Sequence, residues 1–188
     1  MIHKFTDVLN SLVNYFLLGD IKLLKSWKEA NDLPDDLATE FTTNESGDKA
    51  VKEGIVLPMT GIEDHAYTII FNLSDDTPEL LKEGNRLQVR QGGYSLKVEN
   101  GSLMLYTWRI LERFTDEAID RLLNFCRDYK APMIEIENGW YSVEILGGES
   151  LQDSCYEPTF EFILKRTEKQ EVMRADINYV FRIKSTVY

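Results

Sequence analysis

Residues 86–108 read "RLQVRQGGYSLKVENGSLMLYTW", three alternating apolar runs separated by Gly92-Gly93 and Asn100-Gly101. Both dipeptides suit the two-residue connections of β-hairpins, because type I′ and II′ turns require positive φ. The first turn pairs Val89 with Leu96 and Leu87 with Val98; the second pairs Val98 with Leu103 and Leu96 with Leu105. In that register all six of these side chains point to one side of a three-stranded meander. A slip of one residue would turn the whole set outward, so two turns that agree on one apolar face specify the register. The opposite side carries Gln88, Arg90, Ser95, Lys97, Met104, Tyr106 and Trp108. Tyr106 and Trp108 are costly on a bare sheet, which calls for a covering element.

The next segment, residues 114–132, supplies one. "FTDEAIDRLLNFCRDYKAP" has Thr115 as N-cap, Asp116 and Glu117 in the first turn, and Phe114 placed to staple onto Ile119. Ala118, Ile119, Leu122, Leu123, Cys126 and Tyr129 form its apolar stripe, and Pro132 closes a helix over about 115–130. Beyond it, "MIEIENGWYSVEILGGE" (133–149) reads as a hairpin about Asn138-Gly139. Its register places Ile134, Ile136, Tyr141, Val143 and Ile145 on one face, and Glu135, Glu137, Trp140, Ser142 and Glu144 on the other. Gly147-Gly148 ends the strand. The acidic "ESLQDSCYEP" that follows lacks the lysine or arginine of a phosphate cradle. "TFEFILKR" and "INYVFRIKSTVY" read as two further strands.

Upstream, Phe5, Val8, Leu9, Leu12, Val13 and Phe16 follow helical spacing, which predicts an amphipathic helix over about 4–18 stopped by Gly19. A second short helix, Ile21 to Ala30, turns Leu24 and Trp27 to the core. Residues 29–48 hold seven acids (Glu29, Asp32, Asp35, Asp36, Glu40, Glu45, Asp48) and no base, which reads as an exposed connection. Its spacing is not that of a calcium loop. "GIVLPM" and "HAYTIIFNL" alternate as strands, and "SDDTPELLKEG" makes a short helical turn with Thr77 as cap, opened by Pro78 and stopped by Gly84. The fold class is α+β: an antiparallel meander and hairpin sheet, one packing helix (about 115–130) and an N-terminal helical segment. It is expected as a single domain over 1–188, with the helical segment at 1–31 and an acidic connecting loop at 32–52.

The chain of 188 residues carries a net charge of −11, with 32 acids against 21 bases. Such a field repels nucleic-acid phosphates and anionic lipid, so neither nucleic acid nor membrane is an expected partner. No apolar run approaches the ~20 residues of a spanning helix. Asp7, Asn10 and Asn14 interrupt the N-terminal apolar stretch, and no cleavage site follows it. Cys126 and Cys155 read as free thiols, which fits a cytoplasmic location.

His3 and His65 are the two histidines, and no nucleophile elbow, Walker, dinucleotide or zinc signature is present. No catalytic residue, metal or cofactor is therefore assigned, and a binding protein is favoured over an enzyme. The reading is a non-catalytic acidic module of inhibitor or immunity type, such as a bacterial toxin inhibitor, that engages a basic protein. Glu135, Glu137, Trp140 and Glu144 form the expected partner-binding face through ion pairs and cation–π contact. Two alternatives stand beside it. One is a small-molecule pocket lined by Arg90, Lys97, Tyr106 and Trp108; the other is a hydrolase using the alternating carboxylates, whose i, i+2 spacing any strand with alternating Glu would share.

Overall fold

The computed structural model describes residues 1–9 and 13–186. The fold is mixed α+β, built on two mostly antiparallel sheets. Strands β1 (Ile2–Leu9), β4 (His65–Asn72), β9 (Cys155–Thr167), β8 (Gly139–Gln152) and β5 (Arg86–Val98) lie side by side in that order. The second sheet runs β3 (Val56–Thr60), β2 (Tyr15–Gly19), β6 (Ser102–Thr107), β7 (Met133–Glu135). Helices α1 (Ile21–Ala30), α2 (Leu37–Thr43), α3 (Ser46–Lys52) and α4 (Asp116–Tyr129) complete it, with 3₁₀ turns at Glu79–Leu81 and Trp108–Arg113.

Alternation along each strand produces two apolar layers. Phe71, Leu96, Tyr141, Ile145 and Phe162 of the five-stranded sheet meet Leu18, Leu57, Leu103 and Ile134 of the four-stranded one. The intervening positions of the smaller sheet, Leu17, Val56, Met104 and Tyr106, face α1 to α4 and pack on Leu24, Trp27, Val51 and Leu123. The order is therefore sheet, sheet, helices.

The helix expected over 4–18 is instead β1 and β2. His3, Phe5, Asp7 and Leu9 turn inward while Val8 is 64% exposed. Phe5 and Leu9 are four apart, a separation that suits both a helix face and a strand face, and it is one step of the six-residue pattern behind the helical reading. Leu12 lies outside the described residues. The segment expected to be helical over 1–31 is helical at 21–30, where Leu24 and Trp27 are buried as expected. The loop expected at 32–52 contains α2 and α3, because Leu37, Ala38, Ala50 and Val51 give it a buried side.

Both expected hairpins of the central region are corrected. Gly92-Gly93 sits inside β5, where a bulge between Gln91 and Tyr94 shifts the register against β8. Gly93 has φ +87 and its carbonyl accepts the amides of Arg174 (2.8 Å) and Ala175 (3.3 Å), so the glycine admits a crossing chain rather than a reversal. Asn100-Gly101 and Asn138-Gly139 are tight connections, but each passes from one sheet to the other: β5 pairs with β8, and β6 with β2 and β7. The strand-ending role given to Gly147-Gly148 also fails. Both lie within β8, and a Cβ on Gly148 would stand 2.1 Å from the Arg86 carbonyl oxygen, so this pair lets β5 approach closely.

The strand expected in 177–188 is, over its described residues 177–186, an extended strap whose one sheet bridge is Thr60 to Val180. Phe181 and Ile183 plug the layer between the sheets. The Phe181 amide bonds the Thr60 carbonyl (2.8 Å), Gln88 exchanges two bonds with Lys184 (2.8 Å each), and Thr186 donates to Glu149. The strap thus ties the β3 edge of one sheet to the β5 edge of the other.

Candidate functional site

The helical layer begins at Asp20, a fully buried carboxylate that caps α1. One oxygen accepts the amides of Lys22 and Leu23 (3.1 Å each). The other accepts the amides of Glu99 (3.0 Å) and Asn100 (2.8 Å) and the Asn100 side-chain amide (3.0 Å). The cap thereby fixes α1 against the β5–β6 connection and sets where Trp27 stands farther along the helix. Asp36 caps α2 by accepting the Thr39 amide at 3.0 Å, which holds its carboxyl below the usual range.

Trp27 is buried, at 7% exposure, and its indole N–H donates to Glu53 Oε2 at 2.6 Å. Lys49 lies 5.8 Å over the same ring and donates to Asn31 at 2.6 Å. Around this ring opens a groove of about 620 Å³ lined by Leu33, Glu45, Asp48, Lys52 and Glu53 as well. Lys28 pairs with Asp35 and Lys25 with Glu29 (3.7 Å), whereas no ion pair engages Asp32, Glu45 or Asp48 among the described residues. All three acids are exposed. The site combines an aromatic wall with unpaired carboxylates. Basic side chains of a partner can pair with those carboxylates, while Lys49 already covers the ring.

Beside the groove, Tyr15 packs at a tilt against Trp108 with ring centroids 4.6 Å apart, and Phe41 stands 6.4 Å from Trp108. Burial, with the Asp48 charge adding to it, pushes the Tyr15 hydroxyl up to about 12. The cavity among these rings holds about 90 Å³. That is room for roughly three waters at ~30 Å³ each and far below the ~300 Å³ at which ligand pockets begin.

The residues singled out from the sequence are placed as follows. Glu135 lies on β7 in the smaller sheet, while Glu144 lies on β8 in the larger one and pairs with Arg90 at 2.7 Å. Glu137 pairs with Arg166 at 2.5 Å. Trp140 covers Gly54, whose added Cβ would stand 2.6 Å from the ring, and Lys97 lies 5.7 Å over the ring's centroid. The four do not form one strand face, since the turn that was to bring them together crosses between sheets. Glu135 and Glu137 line an open groove of about 720 Å³ with Lys22 and Arg127. The alternative set is also divided. Arg90 and Lys97 are on β5, Tyr106 is buried under the helices, and Trp108 opens the second 3₁₀ turn. Among the described residues no group of three or more His, Cys, Asp or Glu side chains is arranged to hold a metal ion.

No family model matches this chain, and no curated protein matches it. Two solved structures are similar to it. One is described as "Crocagin biosynthetic gene J", 11% identical over 87% of this chain and 97% of the other, with a TM-score of 0.46. The second is ComJ from Bacillus subtilis, described as an inhibitor of the DNA-degrading activity of NucA, 11% identical over 89% of this chain and 99% of the other, with a TM-score of 0.47. At that identity and TM-score, neither likeness carries a function to this chain. No helix among the described residues is long and apolar enough to cross a membrane.

The groove around Trp27 was not foreseen from the sequence, although its acids were. The missed signal was the i, i+4 step from Trp27 to Asn31 followed by the base-free run. It places an aromatic residue at the helix end from which that run departs.

Proposed function

We propose that this protein is a non-catalytic module that binds a basic protein, in the manner of an inhibitor or immunity protein, through the acidic face of α1 to α3. The observation that carries the proposal is the groove lined by Trp27, Glu53 and the exposed, unpaired Glu45 and Asp48, with exposed, unpaired Asp32 on the same base-free run. A lysine or arginine entering it gains ion pairs with Glu45 and Asp48, and the net charge of −11 steers a cationic partner toward the molecule. Of the acids expected from the sequence, Glu135 and Glu137 share a different groove and Glu144 lies on β8, and Glu137 and Glu144 are already paired with arginine, which favours the helical face as the docking site.

The test is affinity capture from source lysate at low and at high salt, with the unaltered protein and with Asp32→Lys/Glu45→Lys/Asp48→Lys. The expected result is a basic protein retained at low salt, released by high salt, and lost by the triple variant. Capture of the same proteins by both forms would refute the assignment of the face. All three positions are exposed and none of their side chains makes a capping bond, and circular dichroism matching the parent's is required of the variant because Asp32 has φ +51 and Glu45 and Asp48 stand at the start of α3.

A further inference from the structure

The two sheets have four edges. The strap covers β5 through Gly93 and Gln88 and covers β3 through Thr60. β7 is three residues long. β1 is different: eight residues, paired on one side with β4 and, among the described residues, with no strand on the other. The Leu73 amide bonds the Met1 carbonyl at 2.8 Å, which places Met1 and Leu73 in a hydrogen-bonded pair of the antiparallel ladder. Alternation then directs the backbone of His3, Phe5, Asp7 and Leu9 to β4, and that of Ile2, Lys4, Thr6 and Val8 to the open edge. Those four residues are all exposed, including Ile2 at 50% and Val8 at 64%. An edge of this length is a template for another strand.

We propose that β1 pairs with β1 of a second copy, antiparallel and centred on Phe5, so that the two five-stranded sheets become one continuous sheet. The register follows from side-chain chemistry. Partners in one sheet share a face, so inward residues must oppose inward residues. Centring on Lys4 or on Asp7 sets like charges directly opposite each other, which is destabilising. Centring on Thr6 sets His3 against Leu9 and Asp7 against Phe5.

Centring on Phe5 sets His3 against Asp7, Ile2 against Val8, Lys4 against Thr6 and Phe5 against itself. That pairing answers two features of the single chain. His3 Nε2 is buried without a hydrogen-bond partner. The Asp7 carboxyl is raised by burial and bends back to the Val8 amide, a donor of the open edge. In the pair the Val8 amide donates to the Ile2 carbonyl of the other copy, and the carboxylate meets the histidine. His3 and Asp7 then occupy a non-hydrogen-bonded position, where opposed side chains are closest. This surface is separate from the acidic helical face, so either proposal stands without the other.

The experiment measures the mass of the full chain in solution by light scattering over a range of concentrations. One strand pair makes an interface at the small end of the stable range, so the expected result is a mass approaching twice 21.8 kDa at high concentration and falling on dilution. Thr6→Pro removes an edge N–H that the protein's own sheet does not use, and is expected to leave a monomer with the parent's circular dichroism.

A cross-link reads the register independently of that variant's folding. Positions 4 and 6 of opposite copies stand about 5.5 Å apart at Cα, within disulfide range. In a Cys155→Ser background, which removes the exposed native thiol, Lys4→Cys/Thr6→Cys is expected to form a covalent dimer on oxidation while neither single substitution does. A chain monomeric at every concentration, a dimer that a folded Thr6→Pro leaves intact, or linkage by the single variants would each overturn the proposal.

Discussion

Removing the Asp20 carboxylate tests how the helical face is held to the sheets. In Asp20→Ala five donors lose a fully buried acceptor: the amides of Lys22, Leu23, Glu99 and Asn100, and the Asn100 side chain. Loss of an N-cap alone costs about 1 kcal/mol, and each buried donor left without a partner adds roughly 1 kcal/mol or more. The Lys22 and Leu23 amides are the two that the cap term covers, which leaves the three donors of Glu99 and Asn100. The remaining terms sum to about 4 kcal/mol, a large share of the ~5–15 kcal/mol that holds a domain together. Asp20→Asn keeps one acceptor oxygen but turns an NH₂ group toward N–H donors, with an expected loss of about 2–3 kcal/mol.

Urea unfolding followed by tryptophan fluorescence measures both. With a slope of about 2 kcal/mol/M, the alanine variant shifts the midpoint by roughly 2 M and the asparagine variant by half to three-quarters of that. An alanine variant less than about 1 kcal/mol below the parent would refute the reasoning. It would mean that the connection between β5 and β6 relaxes to water and that Asp20 acts as an ordinary surface cap.

Two further outcomes follow from the packing. Gly148→Ala is expected to destabilise by about 3 kcal/mol or to prevent folding, because its Cβ would meet the Arg86 backbone rather than a movable side chain; a melting temperature equal to the parent's would contradict the close approach of β5 and β8. Glu149 is nearly fully buried, and burial pushes its carboxyl up. The bonds from the Thr186 hydroxyl and amide and from Arg86 outweigh that and hold it below the usual glutamate range. A depressed folded value stabilises the protein above the unfolded pKa of ~4.3, and that contribution is lost as pH falls through the lower folded value. Glu149→Gln should therefore flatten the fall in unfolding free energy between about pH 6 and pH 3, and an unchanged slope would show that the strap is not latched through this carboxylate.

Much of the inward pattern was legible in the sequence. Leu96, Val98, Leu103, Leu105, Ile134, Ile136, Tyr141, Val143 and Ile145 are all buried in the layer between the sheets, as alternation required. Leu87, assigned to the same face, is 39% exposed because a second register shift, between Leu87 and Val89, turns it away while Val89 still packs on the core. The Thr115 cap and the apolar stripe of α4 also stand as read, with Tyr129 an exception at 73% exposed. The strap and the buried carboxylates Asp20, Glu149 and Glu161 were not legible. Their partners lie far along the chain: Glu161 accepts the Leu80 amide at 3.0 Å and the Asn72 side chain at 2.9 Å. No local pattern distinguishes an acid that will receive such bonds from one that will face water.

By itself the sequence determined which side chains face the apolar layers, because a strand alternates with a period of two whatever it is paired with. Which strands pair was decided by the tertiary structure. A tight Asn-Gly connection reverses the chain equally well within one sheet or across two stacked sheets, and in both cases the inward set stays inward. The turn chemistry of Asn100-Gly101 is thus silent on the choice; what selects the crossing is that β5 finds its hydrogen-bond partner in β8, where Gly147 and Gly148 leave room for it. The same limit applies to the acidic run at 29–48: its charge was visible in one dimension, and only packing of α1 against α3 brought Trp27 and Glu53 beside it.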